Sequence, residues 1–261
     1  MRSKKPFKPK QKFRNEQPKT HIKTNLWGWH ACVEAWHNKS RDVQALYLTK
    51  PAADKFEAEL KKARHLTRPD PKIIDVQNLD QSIKGDPVHQ GIAMQAAPLQ
   101  EYGVQDLIIA AESKERSVVV MLDQVTDPHN VGAIIRSSAA FGVNGMVMQK
   151  KHAPKLDGVL AKTACGGLEH VPIASATNLS RAIEQFQDAG FVVVGLDEHG
   201  EKGFDAVKQH DKIILELGAE GPGMRRLVAE HCDHLIALPT VPPILSLNVS
   251  NAAAVALYAL M

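Results

Sequence analysis

Val118-Val119-Val120-Met121-Leu122-Asp123-Gln124-Val125-Thr126-Asp127-Pro128-His129-Asn130-Val131-Gly132 decides the architecture. Its first five residues are apolar and mostly β-branched, the composition of a strand buried on both faces. Asp127-Pro128 marks a turn. Asn130 is placed to cap a helix whose apolar spacing runs from Val131 to Phe141 and stops at Gly142.

The same unit repeats downstream. The pattern predicts strand Gly145–Met148, helix Leu156–Thr163, strand Val171–Ile173, helix Leu179–Ala189 stopped by Gly190, and strands Phe191–Leu196 and Lys212–Leu217. Helix Gly223–His231, strand His234–Leu238 and a final apolar helix complete the chain. Strands alternating with helices over short connections predict an α/β fold with a parallel sheet covered on both faces. Ligands of such sheets lie beyond the carboxyl ends of the strands, so the turns after strands are the candidate sites.

Upstream, residues 25–98 read as a smaller α/β unit. It comprises an amphipathic run Trp29–His37, strand Val43–Leu48, helix Ala52–Ala63 opened by Pro51, and strands Ile73–Val76 and Ile92–Ala96. Trp27, Trp29 and Trp36 read as packing residues. His89-Gln90-Gly91 reads as a turn whose histidine is exposed or touches a substrate. Residues 99–116 read as a linker, a connecting helix over Val104–Ala111 with a charged hinge, leaving 117–261 as the second domain.

The formal net charge of +3 is unevenly spread. Residues 1–24 hold nine Lys or Arg and one Glu, which leaves 23 basic against 28 acidic residues elsewhere. Such a tail is expected to be disordered and to neutralise phosphates, or to serve as a solubilising or targeting extension. No long uncharged apolar run and no signal-peptide pattern is present, which predicts a soluble, cytoplasmic protein with no membrane partner. The three cysteines, Cys32, Cys165 and Cys232, are widely spaced and read as buried thiols in a reducing compartment. The histidines lack metal-ligand spacing apart from His231 and His234, which read as structural residues at a helix end, so no metal is expected.

Three turns carry polar groups suited to chemistry. After the first strand of the larger domain come Asn130 and, within the helix, Arg136, whose charge must reach solvent or a partner. After Leu217 comes Gly218-Ala219-Glu220-Gly221-Pro222-Gly223, where glycines permit close backbone approach to a ligand, although a plain glycine turn accounts for the residues equally well. Before the final helix, Ser246 and Asn248 stand two apart, as helix caps or as site residues.

In this order, Asp127-Pro128-His129-Asn130 with Gly132 and Arg136, then Gly218-Ala219-Glu220-Gly221 with Gly223, then Ser246-Leu247-Asn248-Val249-Ser250, the chain resembles the SpoU (TrmH-like) RNA ribose 2′-O-methyltransferases of the SPOUT superfamily. Ala164-Cys165-Gly166-Gly167 with Glu169 and Pro172 adds to the resemblance. His30-Ala31, Glu34-Ala35 and His89-Gln90-Gly91 resemble the small ribosomal-protein-L30e-like substrate-binding domain that precedes some members. Similarity over the whole chain is greatest to the large-subunit rRNA guanosine 2′-O-methyltransferases.

The resemblance implies an α/β-knot, with the C-terminal segment threaded as a deep trefoil, and a homodimer whose interface completes the site. It implies S-adenosylmethionine as cofactor, contacted at Gly218, Leu238 and Leu247. Catalytic positions fall at Asn130, Arg136, Glu220, Ser246 and Asn248, with Asn130 and Glu220 holding Arg136. A guanidinium stays protonated at physiological pH, so Arg136 is read as orienting the hydroxyl and an adjacent phosphate rather than as a base. RNA is the expected partner, ribosomal ahead of transfer RNA, with no DNA; a non-catalytic ribosome-assembly factor of the same fold is the competing reading. The chain departs from the family pattern at Val241-Pro242-Pro243-Ile244, at Asn251 and at Glu216.

Overall fold

The computed structural model describes residues 22–84, 88–244 and 246–261. Most of the basic tail, residues 1–21, lies outside the described residues; Ile22 is buried against the first domain.

That domain carries a four-stranded sheet. Strands β1 (Leu26–Trp27), β2 (Val43–Leu48), β3 (Lys72–Ile73) and β4 (Ile92–Ala96) are arranged in the order β1-β4-β2-β3, with only the β2–β3 pair parallel. Helices α1 (Trp29–His37) and α2 (Lys50–Lys62) bury Trp36 and Phe56 on one face, and α3 (Val76–Ser82) buries Leu79 on the other. The strand expected over Ile73–Val76 is thus cut to two residues and followed by a helix. The buried residues here are Leu79 and Ile83, four apart as on one helix face, whereas Ile73 and Val76 are exposed. Helix α3 also covers His89, which is buried rather than exposed: Nδ1 accepts from the Gly91 amide at 3.0 Å, so Nε2 donates to Asp80 Oδ1 at 2.7 Å.

The second sheet is six-stranded and wholly parallel, in the order β10-β8-β9-β5-β6-β7. The strands are β5 (Ser117–Leu122), β6 (Gly145–Gln149), β7 (Ile173–Ala176), β8 (Val192–Lys202), β9 (Lys212–Leu217) and β10 (His234–Ala237). Strand β7 begins at Ile173 rather than Val171, because Val171 still bonds back to Gly167 and Pro172 has no amide to donate. Helices α5 (Pro128–Ala140), α6 (Gly158–Thr163) and α9 (Val249–Leu260) pack on one face; α4 (Val104–Glu112), α7 (Leu179–Asp188) and α8 (Arg226–Glu230) pack on the other. Leu107, Ile108 and Ala111 of α4 are buried with Ile183 and Phe186, so the helix within the stretch read as a linker is docked on the sheet. Only Cys32 is fully buried; Cys165 and Cys232 are partly exposed, since Cys165 lies in a tight turn at φ 49° and Cys232 follows a helix end. Burial, with Glu216 and Asp233 beside it, still pushes the Cys232 thiol up to about 12.

One core runs through both domains. Their joint is the Ala164–Glu169 stretch, whose last three residues form a 3-10 turn. Gly166, at φ 90°, lies against Glu34 and the His30 carbonyl of α1, and a side chain at Gly167 would meet the Ile135 carbonyl and the Arg136 Cα of α5. Only glycine allows both approaches. Glu169 then enters the first domain: Asn38 Nδ2 donates to it at 2.8 Å and Arg41 Nε lies 3.5 Å away, with both charged side chains 2% exposed. Burial, opposed by Arg41 and the Asn38 hydrogen bond, raises the Glu169 carboxyl, and it lowers the Arg41 guanidinium.

Candidate active site

Strands β5 and β9 lie side by side, but the chain leaves β5 toward β6 on one side and β9 toward β10 on the other. A crevice opens at such a switch point beyond the strand ends. Asn130 follows β5 and Glu220 follows β9.

Helix α5 starts earlier than its apolar spacing suggested. Asp127 is the cap, accepting from the His129 amide at 3.0 Å, and Pro128 occupies the first turn. Asn130 therefore lies inside that turn and is not the cap; its side chain turns across the crevice. A Cβ at Gly132 would sit 2.7 Å from the Leu160 carbonyl, so this glycine lets α5 and α6 meet closely. On the other side, Gly218 lies directly against Gly223 and Met224, and Ala219 and Gly223 exchange backbone hydrogen bonds of 3.1 and 3.0 Å. This closed turn holds Glu220 outward and delays the next helix to Arg226, three residues past its expected start.

Asn248 joins the two. Its Oδ1 caps α9, accepting from the Ser250 amide at 2.9 Å, while Nδ2 donates to Asn130 Oδ1 at 3.0 Å and to Glu220 Oε1. Asn130 Nδ2 donates to the same carboxylate oxygen at 3.2 Å. One amide thus caps α9 and bridges Asn130 and Glu220.

Arg136 is not held by this triangle. It is exposed, and among the described residues its guanidinium makes no hydrogen bond or ion pair. Six positions along a helix place it about 120° round and about 9 Å on from Asn130, out of reach of the same partners. Ser246 and Leu247 are exposed, and Leu238 half-buried, in the wall of a cleft of about 550 Å³ beside the triangle. Its lining brings together Gly218, Glu220, Leu238, Ser246, Leu247 and Asn248. It also includes Asp197, Glu198 and His199, which sequence reasoning passed over by ending the strand at Leu196. They lie inside β8, in the stretch 196–200 that bulges where its pairing with β10 jumps from Gly195 to Glu201, an irregularity that the apolar pattern does not announce.

The sequence model of the SpoU rRNA Methylase family matches residues 117–258, and that for RNA 2′-O ribose methyltransferase substrate binding matches residues 26–102. The chain belongs to the SpoU rRNA methylase family. It is 34% identical over 233 residues to the 23S rRNA (guanosine-2′-O-)-methyltransferase RlmB of Escherichia coli K12, covering 89% of this chain and 96% of that one. An uncharacterized tRNA/rRNA methyltransferase of Synechocystis is 41% identical over 171 residues, 65% of this chain and 44% of its own length. The chain thus spans about half the length of several curated relatives that it matches. In fold it is similar to the SpoU methyltransferase AviRb from Streptomyces viridochromogenes, solved in complex with the cofactor AdoMet. The TM-score is 0.73 at 22% identity, covering 90% of this chain and 88% of that one.

A second polar cluster lies beneath the SpoU cleft. Asp123 is fully buried and accepts from the Arg225 amide at 2.8 Å and from Arg225 Nε at 2.7 Å, tying the start of α8 to the end of β5. Glu216, two residues before Gly218, is also fully buried, and neither carboxylate oxygen has a hydrogen-bond partner among the described residues. Burial first, then the Asp123 charge, hold its carboxyl well above the ordinary range against the opposing pull of Arg225. Sequence reasoning marked Glu216 only as a departure from the family and gave Asp123 and Arg225 no role. Among the described residues no helix is long and apolar enough to cross a membrane.

Proposed function

We propose that this protein transfers a methyl group from S-adenosylmethionine to a ribose 2′-hydroxyl of RNA, on a guanosine of large-subunit ribosomal RNA. The observation that carries the reading is the meeting of Asn130, Glu220 and Asn248, from three separate turns, beside the cleft at the switch point.

The cleft suits the cofactor. Leu196, Leu217, Ile236 and Leu238 give it an apolar floor, while Asp197, Glu198 and Glu220 line it with carboxylates able to face a sulfonium. When bound, S-adenosylmethionine supplies an electrophilic methyl group on sulfur. The chain's own contribution is positioning. Asn130 and Asn248 fix the Glu220 carboxylate at the mouth, and Ser246 and Leu247 close the wall. Arg136, exposed and without a side-chain partner among the described residues, orients the 2′-hydroxyl and its neighbouring phosphate. Arg136 would hold the 2′-oxygen in line with that methyl carbon, whose bond to sulfur would give way to the new carbon–oxygen bond with its electron pair left on sulfur, the hydroxyl proton passing to solvent.

Residues 25–98 serve as the L30e-like RNA-binding module, 99–116 connect it to the catalytic domain of residues 117–261, and the basic tail of residues 1–24 adds affinity for RNA. The chain after β10 returns from the edge of the sheet to its middle, where α9 packs on α5; this path supports a trefoil knot. Val241, Ile244, Leu247, Val255 and Tyr258 are exposed near the cleft and along α9, which supports a homodimer whose second subunit completes the site around Arg136. Whole-length similarity to an rRNA enzyme, module included, favours ribosomal over transfer RNA as substrate, in the cytoplasm.

Labelled methyl transfer to purified ribosomal and transfer RNA tests this. Wild type is expected to label large-subunit RNA, with Arg136→Ala reduced by about 10²–10³-fold, the range for removing one positioned donor. Equal background from both would defeat the enzyme reading, and label confined to transfer RNA would replace the substrate.

A further inference from the structure

The carboxyl edge of the parallel sheet is divided by charge. On the β8–β9 side of α5 lie Asp197, Glu198 and Glu220, around the cleft. On the β6 side, the connection from β6 to α6 reads Lys150-Lys151-His152-Ala153-Pro154-Lys155. Lys150, Lys151, His152 and Lys155 are exposed, and among the described residues none of their side chains makes an ion pair or hydrogen bond. Outside the tail the chain carries 23 basic and 28 acidic residues, so a run of unpaired cations here is against its average.

The loop is anchored at both ends. At its start Gln149, Lys151 and His152 line a crevice with Gln124, Val125 and Thr126, the residues that lead into Asp127 and α5. At its end the Gly158 amide donates to the Asn25 carbonyl at 2.7 Å, and the Trp27 ring lies against Gly158, both from the substrate-binding module. Just beyond, the Lys162 stem lies against Gly28. The loop therefore bridges the module and the catalytic turn, on the opposite side of α5 from the cleft.

We infer that residues 150–155 form a track for the phosphodiester backbone of the substrate RNA, leading from the module to the helix that carries Asn130 and Arg136. The inference rests on the RNA methyltransferase reading and adds the path of the substrate. Phosphates fit because the cations are exposed, unpaired and on flexible stems, and the groove they border lacks the apolar surface that a protein partner would bury. The acidic half of the edge repels the same backbone, so the reacting ribose meets the cleft only across α5.

The test compares full-length wild type, the triple variant Lys150→Ala/Lys151→Ala/Lys155→Ala, and Lys114→Ala, an exposed lysine at the opposite edge of the sheet. Binding of a homopolymeric uridine RNA is measured across salt, with S-adenosylmethionine affinity measured in parallel. Each phosphate contact on a single strand contributes about 0.7 to the log–log salt slope, so the triple variant should lose about 2. From about 50 to about 200 mM salt, wild type should then lose roughly fifteen- to twentyfold more affinity than the triple variant. Lys114→Ala should keep the wild-type slope and all three proteins the same cofactor affinity. An unchanged slope in the triple variant, or a cofactor affinity that falls with it, overturns the track. Binding is read without turnover, so a wild type that binds RNA but transfers no methyl group would count against the enzyme reading alone.

Discussion

The joint between the domains and the site at the switch point are built from the same residue types. Each combines an arginine, a glutamate and asparagine. At the joint, Arg41 and Glu169 are 2% exposed and face one another, with Asn38 on the carboxylate. At the site, Glu220 and Asn248 are exposed, Asn130 is half-buried, and Arg136 is exposed with no side-chain partner among the described residues. The difference is what the surroundings leave undone. Two asparagines satisfy part of Glu220, and Arg136 is unpaired among the described residues; at the joint Arg41 and Glu169 face each other in burial, although Arg41 Nε and Nη1 find no hydrogen-bond partner among the described residues. Enclosure turns these groups into structure, and exposure keeps them available.

The sharpest way to break this comparison is at the joint. Removing one member of a buried pair leaves an uncompensated charge, so Glu169→Ala should destabilise by about 3–5 kcal/mol in denaturant unfolding. The double variant Arg41→Met/Glu169→Leu should recover most of that loss, because burial already works against both charges. If Glu169→Ala unfolds like wild type, the pair is not a structural element and the contrast with the site collapses.

A smaller effect separates the two roles of Asn248. Asn248→Ala loses the α9 cap, about 0.5–2 kcal/mol, together with the donor to Asn130 and Glu220. Asn248→Asp keeps a capping oxygen but brings a carboxylate to Glu220. It should retain near-wild-type unfolding while methyl transfer falls roughly tenfold or more, the equivalent of about one unmade hydrogen bond. Parallel loss of stability and activity in the aspartate variant would make Asn248 a cap only.

Much of this was legible in the sequence where one residue type has one physical outlet. The buried run Val118–Leu122, Asp127-Pro128 and the paired glycines of 218–223 admit few other structures. What stayed hidden depends on residues far apart in the chain. Asn130 looked like a cap because its spacing fits one; only the earlier claim of Asp127-Pro128 on the helix start releases it toward Glu220, 90 residues on. Arg136 was expected beside Glu220 because shared motifs suggest shared contacts, yet helix geometry separates it from Asn130 by more than one and a half turns. Helix α3 was missed because Ile73 and Val76 dominate the local pattern although Leu79 and Ile83 are the buried residues.

Glu216 stands between the two regions, as enclosed as the joint yet directly beneath the site, and carries the smallest expected effect. Its carboxyl is held above the ordinary value near 4.3, so the folded state binds its proton more tightly than the unfolded state. Stability from this group is complete below that ordinary value and is lost as pH rises through the raised one. Glu216→Gln keeps the shape and removes the titration. Relative to wild type, its melting temperature should climb over that window and then level off, by about 2–4 °C for each kcal/mol recovered. Asp123 and Arg225 remain in both proteins, so the difference isolates Glu216. A constant offset across pH would place the cost in packing rather than charge, and would show that enclosure alone does not decide which of these acids are structural.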